Sequence, residues 1–373
     1  MIRFLLTFIV AYSLMNGYVL NKARALFPDR PSTRILLLCF LALMVFAPMG
    51  ARLCERGGHP TLAHLLAFTG YPWMGFVFLA FWVFLLTDAV SLMAKYTHVA
   101  PALHNPLLKT RGAAAVIFGV VALVFLYGIV EARSIRTERV TIATSKLPPG
   151  MDRLRIAQIS DVHLGLIVGE GRLNKILQMV EAEKPDLLVA TGDMVDGNIM
   201  DRGEIFRQFQ ALQPPLGKFA VTGNHEVYTG IAQSFEALRM AGFRILVGEA
   251  VDVGGVLTVA GVDDPARGAP MDEAGLLAPL QNGRFVLFLK HRPQPVENSQ
   301  GLFDLQLSGH THRGQIFPFR FFTGMSYPMQ DGLYHLKNGS KLYTSRGSGT
   351  WGPPVRVLSP PEVTIIDLVA GNG

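Results

Sequence analysis

A chain of 373 residues, half of them hydrophobic and with a mean hydropathy of +0.31, exceeds one ordinary domain and is too apolar to be soluble throughout. Up to residue 139 it carries thirteen Lys and Arg against five Asp and Glu, leaving 21 against 23 of the totals of 34 and 28. The basic excess therefore belongs to the apolar half, and the sequence pI of 9.4 points to a membrane surface and not to nucleic acid. Both cysteines, Cys39 and Cys54, also lie there, which excludes a disulfide framework or a thiolate metal site from the remainder.

Four apolar runs come first, at about residues 4–20, 35–51, 65–87 and 113–130. Each approaches the roughly 20 residues that cross a bilayer core, and polar hinges separate them, so transmembrane helices and a multi-pass location in the cell membrane are expected. The first run, preceded by Arg3 and followed by Ala23-Arg24-Ala25, also has the flanks of a cleavable signal peptide. Seven Lys or Arg flank the spans on each side, so the positive-inside rule assigns no orientation. After Glu131 the pattern becomes that of an α/β domain. Strands are predicted at 154–159, 186–190, 217–221, 256–262, 284–289, 304–307, 341–344 and 363–368, with helices at 171–183 and 231–240.

Ligand-type residues collect directly after the predicted strands: Asp161-Val162-His163, Gly192-Asp193, Gly223-Asn224-His225-Glu226, His291, and Gly309-His310-Thr311-His312. Of the six histidines beyond residue 139 only His335 lies outside these segments, so the reading of each as an isolated structural histidine would have to hold five times over. Residues at the carboxyl ends of strands in an open α/β sheet converge. Carboxylate, imidazole and amide-oxygen donors without thiolates suit Mn, Fe, Zn or Co. Were the segments extended, Asp161 and His163 would point to one ion with Val162 packed behind, and His310 and His312 would do the same. A carboxylate can bridge two ions, a role open to Asp193 and to no imidazole.

In this order the motifs resemble those of the calcineurin-like metallophosphoesterase superfamily, over roughly residues 154–368. The GHTHRGQ, SRGSGTWGPPVR and PPEVTIIDL segments are similar to closing motifs of its bacterial membrane-associated branch. The resemblance implies an α/β fold, a four-layer αββα sandwich, preceded here by an all-α bundle of about four transmembrane helices. The expected division is a transmembrane region at 1–139 and a phosphoesterase domain at 140–373. The resemblance further implies two divalent metal ions, one held by Asp161, His163, Asp193 and His312, the other by Asp193, Asn224, His291 and His310. His225, not a ligand in that family, would serve substrate as proton donor or charge stabiliser. The expected activity is hydrolysis of a phosphodiester or diphosphate bond, with a lipid-linked substrate favoured because four spans are more anchoring than a soluble ester requires. The alternatives are a phosphodiesterase or phosphomonoesterase for soluble esters, and a non-catalytic membrane scaffold; the second is disfavoured because no ligand position is missing.

Less specific features surround these. Asp196 and Glu226 are read either as outer carboxylates orienting ligand imidazoles or as solvated or capping groups, and Asp263 and Asp264 as turn residues. Arg292 and Arg313 flank ligand positions and match phosphate in geometry, with a surface role as the alternative. Phe317, Phe319, Phe321 and Phe322 form either a core cluster or an acyl-accommodating rim.

Overall fold

A chain in lipid must satisfy its backbone N–H and C=O groups internally, which is why each apolar run folds as a helix. The computed structural model describes residues 2–97, 110–197 and 203–371. The chain divides into two compact units, Met1–Val130 with Gly352–Val357, and Glu131–Trp351 with Leu358–Gly373.

The first unit holds α1 (Ile2–Ala23), α2 (Pro31–Arg56), α3 (Pro60–Thr97) and the greater part of α4 (Arg111–Arg133). Among the described residues three helices are long and apolar enough to cross a membrane, Pro31–Arg56, Pro60–Tyr96 and Arg111–Arg133; the first run is helical as well. Pro31 opens α2 at its first turn, where the missing N–H costs nothing. Close packing between α2 and α3 depends on Gly70, where a Cβ would lie 2.8 Å from that of Ala47. Several polar groups on these helices pair with one another. Trp73 Nε1 donates to Asn16 Oδ1 at 2.8 Å, and Asp88 accepts from Lys22 Nζ and Tyr18 Oη, each at 2.6 Å.

In the second unit the chain runs through β1 (Arg136–Thr144), β2 (Arg153–Ile159), β3 (Leu164–Gly165), α5 (Glu170–Glu183), β4 (Leu187–Thr191), β5 (Val195–Asp196), α6 (Gly203–Arg207), β6 (Lys218–Val221), α7 (Asn224–Thr229) and α8 (Ile231–Met240). It continues through β7 (Arg244–Ile245), β8 (Glu249–Val253), β9 (Leu257–Gly261), α9 (Glu273–Leu277), β10 (Phe285–Leu289), β11 (Leu305–Ser308), α10 (Arg320–Ser326), β12 (Gly332–His335), β13 (Lys341–Thr344) and β14 (Glu362–Ala370). One six-stranded sheet has the order β1-β14-β2-β4-β6-β7, the other β12-β13-β11-β10-β9-β8, and β3 pairs with β5. The boundary expected at residue 139 falls inside β1, which pairs along its length with β14.

Alternation along the strands builds the layers. Ile156, Leu187, Val189 and Val221 of the first sheet pack against Val259, Leu287, Leu289 and Leu307 of the second. Their sequence neighbours Ala157, Leu188, Ala190 and Ala220 face the opposite way, onto Leu173, Ile176 and Val180 of α5 and Leu238 of α8. Outside the second sheet Val286 and Phe288 meet Leu277 of α9 and Phe303. The result is the four-layer αββα sandwich, with central strands buried on both faces and therefore continuously apolar in sequence. Leu287→Ala, at a fully buried inter-sheet position, is expected to destabilise by about 2–5 kcal/mol, read as a lowered unfolding midpoint of the detergent-solubilised chain.

Candidate metal centre

Five strand ends meet at one edge of the sandwich. β2 leads to Asp161 and His163, β4 to Asp193, β6 to Asn224 and His225 at the start of α7, β10 to His291, and β11 to His310 and His312. The expected means of convergence is overturned, because these residues are not in extended chain. Asp161 and His163 have φ of +52° and +53°, Asp193 +52°, His310 +72° and His312 +47°. Each sits on a left-handed turn that brings its side chain back over the strand end. That conformation costs a non-glycine residue on the order of 1 kcal/mol or more and persists only where the surroundings enforce it.

The enforcing contacts are hydrogen bonds between the turns. Asp161 N–H donates to the Gly192 carbonyl and His163 N–H to the Asp193 carbonyl, each at 3.0 Å. The buried Glu226 carboxylate accepts from the N–H groups of Gly223 (2.7 Å), Asp193 (2.9 Å) and Met194 (2.7 Å). Glu226 thus caps backbone and orients no imidazole, and burial pushes its pKa up to about 7. Close approach requires Gly309, where a Cβ would collide with Ser160 Oγ and Asp161 Oδ2.

Three groups of donor atoms result, the third joining His163, Asp193 and His225. In the first, Asp161, His163 and His312 have ligand atoms mutually within 4.8 Å. His163 Nε2 lies 3.0 Å from His312 Nε2, which is 3.5 Å from Asp161 Oδ1. The Asp161 carboxylate accepts from Ser160 Oγ at 2.5 Å and from the His310 N–H at 3.0 Å. Burial, against the pull of His291, pushes its pKa up to about 6. In the second, Asp193, His291 and His310 satisfy the same distance condition. His291 Nε2 is 3.2 Å from Asp193 Oδ2 and 3.1 Å from His310 Nδ1. The His291 Nδ1–H donates to the Thr191 carbonyl at 2.8 Å, committing Nδ1 and aiming Nε2 into the site. Asp193 Oδ2 also lies 3.9 Å from His163 Nε2, so one carboxylate oxygen faces both the first and the second group. Its Oδ1 accepts the His225 N–H at 2.8 Å.

These residues fit metal ions. Asn224 Oδ1 is buried with no hydrogen-bond partner among the described residues, an arrangement that is costly unless a cation completes it. Imidazole nitrogens face one another at 3.0 and 3.1 Å, where two donors bound to one ion at about 2.0–2.1 Å would come to rest.

A sequence profile of the calcineurin-like phosphoesterase family matches residues 154–314, and a metallophosphoesterase of Aquifex aeolicus is 41% identical over 265 residues, 68% of this chain and 99% of the relative. The chain belongs to the calcineurin-like metallophosphoesterase family. It is a metal-dependent phosphoric ester hydrolase. A metallophosphoesterase of Campylobacter jejuni is 32% identical, covering 77% of this chain and 78% of its own length. A zebrafish (Danio rerio) relative named "Transmembrane protein with metallophosphoesterase domain" is 30% identical over 358 residues, 90% of this phosphoesterase and 80% of the relative.

His225 is buried beside the donor atoms of the phosphoesterase site. Its Nδ1 is 3.0 Å from Asp196 Oδ1, so Asp196 orients this imidazole. Burial pulls the His225 pKa down, but the Asp193 and Asp196 carboxylates outweigh it and push it up to about 9; a nearby divalent ion opposes that rise. A ring nitrogen of His225 also comes within 4.8 Å of donor atoms of His163 and Asp193.

The flanking residues resolve as follows. Arg292 is held by Asp264 through two bonds of 2.7 and 2.8 Å, and Asp264 also caps the turn at Ala266. Asp263 accepts from Thr222 Oγ1. Arg313 pairs with Asp331 at 3.3 Å. Phe317, Phe319, Phe321 and Phe322 are 39, 47, 62 and 47% exposed, so they do not form a core cluster. Sequence reasoning missed Ser160 and Tyr327, whose hydroxyl lies 3.0 Å from His310 Nε2. Neither stands at a motif spacing. It also missed why the SRGSG segment matters: Ser348 and Gly349 donate their N–H groups to the Ser160 and Asp161 carbonyls at 2.8 and 2.9 Å.

Proposed function

We propose that this protein is a membrane-anchored, binuclear phosphodiesterase or diphosphatase acting on a lipid-linked substrate. In this reading residues 1–139 anchor and residues 140–373 catalyse. Asp161, His163, Asp193 and His312 hold one divalent ion; Asp193, Asn224, His291 and His310 hold the other, drawn from Mn, Fe, Zn and Co. Such ions supply Lewis-acid stabilisation of a phosphoryl oxygen and an acidified water as nucleophile. The protein's own contribution is placement. Asp193 holds the two groups together, His291 and His310 present nitrogens at one side, and His225 presents an N–H to the leaving oxygen on the side of His163.

The observation that carries the lipid reading is the exposure of the aromatic segment that follows His312. Phe321 is 62% and Met325 81% exposed, and none of the residues of α10 is buried. An exposed apolar patch of this kind marks an interaction surface. At Tyr327 the same segment returns to His310. Three apolar helices and a relative named as a transmembrane protein support anchoring, and tethering raises the encounter rate only with substrates at the bilayer.

Hydrolysis of one phosphate headgroup with and without acyl chains distinguishes the readings, using the wild type and a Phe321→Ser/Phe322→Ser variant. The expected result is preference for the acylated substrate, reduced in the variant through KM. Equal cleavage of the acyl-free compound by both proteins would favour a phosphodiesterase for soluble esters.

A further inference from the structure

We infer that Tyr327 is a positioning residue for the second ligand group: its hydroxyl holds His310 so that Nδ1, and not Nε2, is offered to the ion. The inference rests on the ligand reading given under Proposed function. The His310 ring has two nitrogens with different surroundings. Nδ1 is 3.1 Å from His291 Nε2, inside the group completed by Asp193. Nε2 points away from it, 3.0 Å from Tyr327 Oη. An imidazole that donates from one nitrogen to a fixed oxygen carries its proton there and leaves the lone pair on the other. For His291 that oxygen is the Thr191 main-chain carbonyl. For His310 the inference gives that role to the Tyr327 hydroxyl oxygen, accepting from Nε2–H across the 3.0 Å contact, and a side chain can be removed without disturbing a strand.

Tyr327 is itself held from several directions. Its N–H donates to the Thr323 carbonyl at 2.8 Å at the end of α10. Arg292, next to His291 in sequence, is gripped by Asp264 through both carboxylate oxygens. The tyrosine ring meets the imidazole edge-on, with centroids 4.9 Å apart and planes at 75°. Packing and hydrogen bonding are therefore separable: Tyr327→Phe keeps the ring contact and loses the oxygen, whereas Tyr327→Leu loses both.

The test is Co(II) titration of the metal-free full-length protein in detergent, followed by visible absorption and calorimetry, with circular dichroism as the check on folding. Tyr327→Phe is expected to bind the first ion as the wild type does and the second about 10–100-fold more weakly, with an altered spectrum for the second ion alone. Wild-type binding of both ions by Tyr327→Phe, with weakening confined to Tyr327→Leu, would show a packing role and overturn the inference. Equal weakening of both ions would overturn it too. A His310→Ala variant separates this from the underlying reading: if it still binds two ions tightly, the ligand assignment itself fails, and the inference with it. Loss of the second ion in His310→Ala beside an unaffected Tyr327→Phe overturns the role of Tyr327 alone.

Discussion

Asp193→Asn is expected to abolish phosphoester hydrolysis in a chain that remains folded. Asp193 Oδ2 faces His291 Nε2 at 3.2 Å and His163 Nε2 at 3.9 Å, so it is a carboxylate oxygen placed between the two donor groups. Asparagine retains the size but not the charge, and an amide oxygen is a poor bridge between two cations. Charge stabilisation by the ions amounts to several kcal/mol in the transition state; at about 1.36 kcal/mol per tenfold, the loss in kcat is on the order of 10³ or more. Metal analysis of the variant should show reduced occupancy, and exhaustive chelation of the wild type should reproduce the loss. Loading has a pH signature with a definite sign. Burial pulls the His291 pKa down, but the Asp193 carboxylate outweighs it and pushes it up to about 10, so binding an ion at Nε2 displaces a proton at neutral pH. Metal affinity therefore falls as pH falls, and proton release is measurable by calorimetry in buffers of different ionisation enthalpy. Full activity after chelation would sink the assignment.

The second large effect separates neighbours in the GNHE motif. Asn224→Ala removes the buried, unpartnered Oδ1 and is expected to lower metal occupancy. His225→Ala is expected to leave the metals in place and slow turnover by on the order of 10²–10⁴ for substrates with poor leaving groups, with little effect when the leaving group is an activated phenol. The reason lies in the wiring of His225, whose Nδ1 is taken by Asp196 at 3.0 Å, leaving Nε2 as the group offered to substrate. Because a His225 nitrogen also lies within 4.8 Å of donor atoms of His163 and Asp193, the comparison has a real alternative. Equal metal loss in the two variants would show that His225 is a ligand and not a proton donor.

Legibility in the sequence followed burial. All eight predicted strands are present, and none is displaced by more than two residues at its ends; five of them, β4, β6, β9, β10 and β11, are buried at every residue. Such strands read as unbroken apolar runs. The strands that went unread are short or at sheet edges. β1, β8 and β12 terminate their sheets and are largely half-buried or exposed; in β1, RTERVTIAT, and β8, EAVDV, charges mask the strand pattern. β3, β5 and β7 have two residues each, too few to show any period. Helices α5 and α8 were readable from their apolar spacing, whereas α7, with six residues, was hidden inside the motif it carries.

The residue types of the site were determined by the sequence alone, because a cluster of carboxylate, amide and imidazole donors at successive strand ends has few uses besides holding cations. The conformation that presents them was decided only by the tertiary structure. Left-handed φ at Asp161, His163, Asp193, His310 and His312 has no local signature in residues that ordinarily avoid it. Glu226 and Tyr327 are assigned their roles by partners outside their own segments. The Asp161 carboxylate receives its N–H from His310, 149 residues on, and Glu226 caps Asp193 from 33 residues away. Hydrogen bonds of that kind depend on which strand ends two packed sheets bring to one edge, a property of the whole sandwich and of no segment within it.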